Sequence, residues 1–157
     1  MVNVGIADLN VVTNPDVVAT YALGSCVGIC LYDAELKIAG LAHIMLPWSR
    51  EATVASDNMR RYADTGITEL IQKMCDRGAK KYRLTAKIAG GAQMFSTNSA
   101  VFNIGERNVE AVKKVLSTYN IPIVAEETGK NFGRTVFFYS ADGIMEVRSA
   151  TKPIIRV

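Results

Sequence analysis

One imidazole is all this chain has to offer as a base, because His43 is its only histidine. Acyl-transfer chemistry built on it would need a nucleophile within reach and a cradle of N–H donors for the developing oxyanion. Three thiols are available, Cys26, Cys30 and Cys75. Cys26 sits in Leu23-Gly24-Ser25-Cys26-Val27-Gly28, where flanking glycines let backbone N–H groups come close to a reacting carbonyl. Cys30 falls mid-strand and Cys75 on the inward stripe of a helix, the usual places for a free thiol acting as a small buried hydrophobe. Their number is odd and no export signal precedes them, which argues for thiols rather than a disulfide framework.

Pairing register tests the thiol and the imidazole together. If 26–32 and 38–46 form an antiparallel hairpin centred between Ala34 and Glu35, Cys26 stands directly opposite His43. Opposed residues share a face, with Cβ atoms about 4.5–5.5 Å apart. A one-residue slip would send the ring to the other face. In contact, the imidazole would take the thiol proton and hold thiolate beside imidazolium. No Asp or Glu lies near His43 in sequence, so Thr20 on the preceding strand is the candidate to orient the ring through its second nitrogen. The competing reading is a satisfied strand histidine and a buried thiol beside a glycine turn.

The elements that must position these groups are legible as alternating and helical patterns. Strands are predicted over 2–12, 17–23, 26–32 and 38–46, forming an antiparallel meander. A helix over 58–77 follows, with Ile67, Leu70, Ile71, Met74 and Cys75 inward, Arg60, Asp64, Glu69 and Lys73 outward, and Gly78 as its stop. A strand over 81–89 ends at Gly90-Gly91. A second helix over 105–119 takes Asn103 as candidate N-cap and turns Val109, Val112, Val115 and Leu116 inward. Strands over 121–127, 134–140 and 144–150 complete the chain. Runs of strands interrupted by single helices indicate an α+β fold with mixed or antiparallel sheets and helices outside.

Size and composition bound the rest. A chain of 157 residues is long enough for one domain, 1–157, with a core of its own. Hydrophobic residues at 49% and charged residues at 21% exclude disordered and collagen-like classes. The net charge of +3 is spread without a basic run, so nucleic acid is not the expected partner. Apolar stretches such as 27–31 and 38–46 are too short to span a bilayer, and the N-terminus lacks a signal-peptide pattern; a cytoplasmic location is expected. Zinc is not expected with one histidine, and Cys26-x3-Cys30 is no metal signature.

The segment Leu23–Gly28 followed by Ala39-Gly40-Leu41-Ala42-His43-Ile44-Met45-Leu46-Pro47 resembles the signature of the CheD family of chemoreceptor glutamine deamidases. Lys87-Ile88-Ala89-Gly90-Gly91-Ala92-Gln93-Met94-Phe95 resembles that family's Gly-Gly-Ala motif, and Ile104-Gly105-Glu106-Arg107-Asn108 resembles the segment opening its second helix. The motifs occur in family order over nearly the whole chain. Ala89 stands where an aromatic residue is expected before Gly90-Gly91, which bears on substrate fit.

By that resemblance Thr20, Cys26 and His43 are the catalytic group, and the activity is hydrolysis of receptor glutamine side-chain amides to glutamate, without metal or organic cofactor. Cys26 would attack the carboxamide carbon, N–H groups around Gly24, Ser25 and Val27 would hold the oxyanion, and His43 would protonate the departing ammonia. A glutamate methyl ester would give the same acyl-enzyme. Gly90, Gly91, Phe95 and Phe102 are candidates for a shallow receptor-binding surface, with packing of both phenylalanines on the second helix as the alternative. The resemblance also implies a CheC-type phosphatase as partner. It implies the two-sheet α/β/β/α layering of the cytotoxic necrotizing factor deamidase domain. Two rivals remain: a non-catalytic chemotaxis regulator that binds receptors and the phosphatase, and a cysteine peptidase or acyltransferase, for which a threonine orienter would be unusual.

Overall fold

In the computed structural model, residues 1–52, 58–94 and 103–157 are described. Ten strands occur among them: β1 (Val2–Val4), β2 (Asp8–Thr13), β3 (Val17–Leu23), β4 (Val27–Asp33), β5 (Ile38–Ile44), β6 (Thr85–Gly90), β7 (Ile123–Thr128), β8 (Arg134–Tyr139), β9 (Met145–Arg148) and β10 (Ile155–Arg156). Two α-helices, α1 (Ala63–Asp76) and α2 (Ile104–Thr118), accompany them. The strands form two five-stranded sheets, ordered β1-β3-β8-β9-β10 and β2-β5-β4-β6-β7. The α+β class, the mixed pairing and the helices outside the sheets agree with expectation.

Alternation along β4 and β5 builds both sides of the second sheet. Val27, Ile29, Leu31, Ala42 and Ile44 pack with Ile67, Leu70, Met74, Val112 and Leu116 in the core between that sheet and the helices. Cys30, Tyr32, Ala39 and Leu41 pack with Val18, Leu23, Val136 and Phe138 in the core between the two sheets. Both helices lie on the same sheet and touch each other, so the layers run helix, sheet, sheet. The α/β/β/α order is thereby corrected: no described helix covers the outer face of the β1-β3-β8-β9-β10 sheet.

The antiparallel meander expected for the first third also gives way. Ala7, with a φ of 57°, divides 2–12 into two strands. β1 pairs in parallel with β3 in one sheet, while β2, β4 and β5 lie in the other. The chain therefore changes sheets across Gly24-Ser25-Cys26, the segment that carries the candidate nucleophile. β7 joins β6 in parallel, which the α2 crossover allows. α1 starts at Ala63, five residues after its expected start. Residues Met59–Arg61 make a 3-10 turn instead, with the Asn58 side chain accepting from the Arg60 N–H. Asn103 does occupy the N-cap position of α2, but its side chain makes no capping hydrogen bond.

A buried carboxylate secures the β4–β5 turn. Asp33 accepts from the N–H groups of Glu35, Leu36 and Lys80 and from the Arg83 guanidinium at 2.9–3.3 Å. Although burial alone would raise its pKa, these hydrogen bonds hold it below the ordinary carboxylate range. Its contribution to stability is therefore complete above the unfolded carboxyl pKa and lost as pH falls through the lower folded value. Asp33→Ala should cost roughly 2–4 kcal/mol at pH 7 in urea unfolding, because a cation and three N–H groups lose their acceptor. A loss below 0.5 kcal/mol, on the scale of an ordinary surface substitution, would contradict that role.

Candidate active site

His43 stands opposite Gly28 in the β4–β5 ladder. The expected register is thus corrected by two residues, and Cys26, which precedes β4, does not face His43 directly. Cys26 packs against the core between the two sheets, the side from which Thr20 of β3 reaches His43. Gly28 contributes no side chain, and a Cβ there would come within 3.2 Å of Leu23 Cδ1 and 3.7 Å of Thr20 Cγ2.

Thr20 reaches the ring from the facing sheet. Its Oγ1 lies 2.7 Å from His43 Nδ1 and 2.7 Å from the Val4 carbonyl oxygen. A hydroxyl has one proton, and a carbonyl can only accept. The Thr20 hydroxyl therefore donates to Val4 and accepts from Nδ1–H, which leaves Nε2 as the lone-pair nitrogen. All three residues are buried, and His43 and Thr20 show no exposed surface. Nε2 has no hydrogen-bond partner among the described residues, so thiol and ring are not bonded at rest. Asp8, the β2 residue in register with His43, is ion-paired to Arg60 at 2.7 Å.

Burial pushes the His43 pKa down to about 4. Cys26 is half-buried, and desolvation raises its thiol pKa despite a backbone hydrogen bond that opposes the shift. Both shifts favour a neutral thiol and a neutral imidazole at rest over the thiolate–imidazolium pair expected from sequence. The depressed His43 pKa has a stability consequence. Its contribution is complete above the unfolded value near 6.5 and is lost as pH falls through about 4. On the order of 3 kcal/mol should disappear over that window. Urea unfolding of the wild type and His43→Gln at pH 7 and pH 4 checks this; equal pH dependence in both proteins would remove His43 as the source.

The loop before Cys26 has its carbonyls held from behind. Gly24 O accepts from the Ala92 N–H at 2.9 Å and Cys26 O from the Gly91 N–H at 2.8 Å. Ser25 O accepts from Asn108 Nδ2 at 2.9 Å. The N–H and C=O of a trans peptide point in opposite directions. The N–H groups of Ser25, Cys26 and Val27 are accordingly turned away from Gly91, Ala92 and Asn108.

Gly90 and Gly91, read from sequence as receptor-facing, lie against this loop. A Cβ on Gly90 would collide with the Cys26 carbonyl, and one on Gly91 with Val109; both have positive φ, 107° and 65°. Phe95 and Phe102 fall outside the described residues. Cys30 is fully buried, and Cys75 is partly buried against the helix-side core. Sequence reasoning missed Asn108, Val4 and Arg134. Asn108 had one available signal, an amide within the inward stripe of the second helix. Arg134 is a buried guanidinium that donates to the Gly129 carbonyl at 2.9 Å and faces Glu127 at 3.5 Å.

The model of the CheD family, described as chemotactic sensory transduction, matches residues 45–149. Similar curated relatives extend over the segment carrying Thr20, Cys26 and His43. A protein of Caldanaerobacter subterraneus subsp. tengcongensis called probable chemoreceptor glutamine deamidase CheD is 53% identical over 95% of this chain and 93% of its own. Chemoreceptor glutamine deamidase CheD of Halalkalibacterium halodurans is 50% identical over the same shares, and that of Bacillus licheniformis 44% identical over 100% and 95%. Identity at this level, over the full architecture and not one motif, makes the chain a member of the CheD family.

Proposed function

We propose that this protein deamidates glutamine side chains of chemoreceptors, with Cys26 as nucleophile, His43 as general base and acid, and Thr20 as the residue that orients the ring. The observation that carries this reading is the directed Val4–Thr20–His43 relay, which leaves a buried, unprotonated Nε2 on the side of the sheet shared with a partly exposed thiol. Nε2 takes the thiol proton as sulfur attacks the carboxamide carbon, so ion-pair formation coincides with attack. The N–H groups of Ser25 and Cys26 stabilise the oxyanion, the Gly24 N–H being donated to the Ala22 carbonyl. When the C–N bond breaks, the imidazolium returns its proton and ammonia leaves a thioester. Water then attacks, giving its proton to Nε2, and collapse restores the thiol and releases glutamate. A glutamate methyl ester would enter the same acyl-enzyme with methanol leaving.

The relatives' names support chemoreceptors as substrates. A CheC-type phosphatase as a second partner rests on the family resemblance. Acid-quenching a reaction with a receptor cytoplasmic fragment should trap a hydroxylamine-sensitive conjugate of the two proteins that Cys26→Ala does not form. Turnover with no such conjugate at any quench time would argue against the thioester.

A further inference from the structure

Asn108 lies on α2, away from the strands that carry thiol and imidazole, yet it binds both segments. It is fully buried, and its Nδ2 donates to Ser25 O and to Met45 O, each at 2.9 Å. Both partners are carbonyls, so the amide nitrogen must face them and the flipped orientation is excluded. Its two N–H bonds are thereby spent on the residue preceding Cys26 and on the residue two beyond His43. Oδ1 is buried with no partner among the described residues.

Building on the proposed deamidase reading, we infer that Asn108 is a positioning residue for the oxyanion. It fixes the plane of the Ser25–Cys26 peptide, and because that C=O is held toward α2, the Cys26 N–H points the other way, toward the nucleophile's side. The second bond, to Met45, locks this peptide to the strand end that carries His43. Gly91 and Ala92 hold the carbonyls on either side of the Ser25 carbonyl, but Asn108 alone among the described residues holds that of Ser25 and so sets this donor. It acts through the Cys26 N–H and does not touch the reacting atoms.

The test uses Asn108→Ala and Asn108→Leu, the second nearly filling the amide's volume. Each is compared with wild type for kcat and KM on a receptor cytoplasmic fragment, and for the rate of Cys26 alkylation by iodoacetamide. Alkylation needs the thiol but no oxyanion donor. Loss of one aimed donor predicts kcat lower by about 100-fold, with KM and alkylation rate within about threefold of wild type. Either variant retaining near-wild-type kcat overturns the inference. So does a fall in kcat matched by faster alkylation and a raised KM, the pattern of a loosened fold. If Asn108→Ala does not fold, Asn108→Leu decides. Wild type failing to release ammonia at all would instead overturn the deamidase reading.

Discussion

His43→Gln is expected to lower kcat for receptor deamidation by about three to four orders of magnitude with little change in KM. The substitution removes the only imidazole in the chain, and both proton transfers in the proposed cycle pass through its Nε2. The same change should leave the rate of Cys26 alkylation at pH 7 nearly unaltered. Burial has pushed the ring down to about 4 and the thiol up, so no resting thiolate depends on His43. For the same reason the acid limb of kcat/KM should fall near pH 4 and not near the ordinary histidine value of about 6.5. An alkylation rate that collapses together with kcat in His43→Gln would show a preformed ion pair and contradict the neutral resting state.

Thr20→Val should cost about 100-fold in kcat, with Thr20→Ser recovering most of it. Valine keeps the shape but removes the acceptor for Nδ1–H and the donor to the Val4 carbonyl. The ring then gains freedom to adopt the other tautomer, which points a proton and not a lone pair toward the thiol. Two buried polar groups lose their partner, so a stability loss of about 1–3 kcal/mol accompanies the effect. The serine variant separates the two causes, since it restores the hydroxyl but not the methyl group. If Thr20→Ser is as slow as Thr20→Val, the hydroxyl is not what orients the ring.

That His43 points between the two sheets was legible because face membership depends on parity alone, which an error of two residues left intact. The register itself was not legible: the Asp33–Lys37 turn has no Asn-Gly signal, and its geometry is set by Asp33 binding Lys80 and Arg83 from nearly fifty residues away. Thr20 was found as a neighbour in sequence, yet it reaches His43 from the opposite sheet. The change of sheets at Gly24–Cys26 is a consequence of β3 pairing with β8, a contact invisible to local patterning. Helix faces were read from spacing, whereas the late start of α1 reflects the Asn58 side chain and the Leu46–Tyr62 bridge. β10 has two residues and no periodicity to detect. Asn108 was overlooked because a polar residue on an apolar stripe declares a partner but not which one.

Intact mass of a receptor cytoplasmic fragment, measured with ammonia release after incubation with wild type or Cys26→Ala, tests the central claim most directly. The amide-to-acid conversion adds about one dalton per site, and the proposed chemistry, in which Cys26 is the nucleophile, predicts that gain with wild type alone. No gain with either protein, while both still bind the fragment, would contradict catalysis and favour a binding role; an equal gain with both would remove Cys26 as the nucleophile.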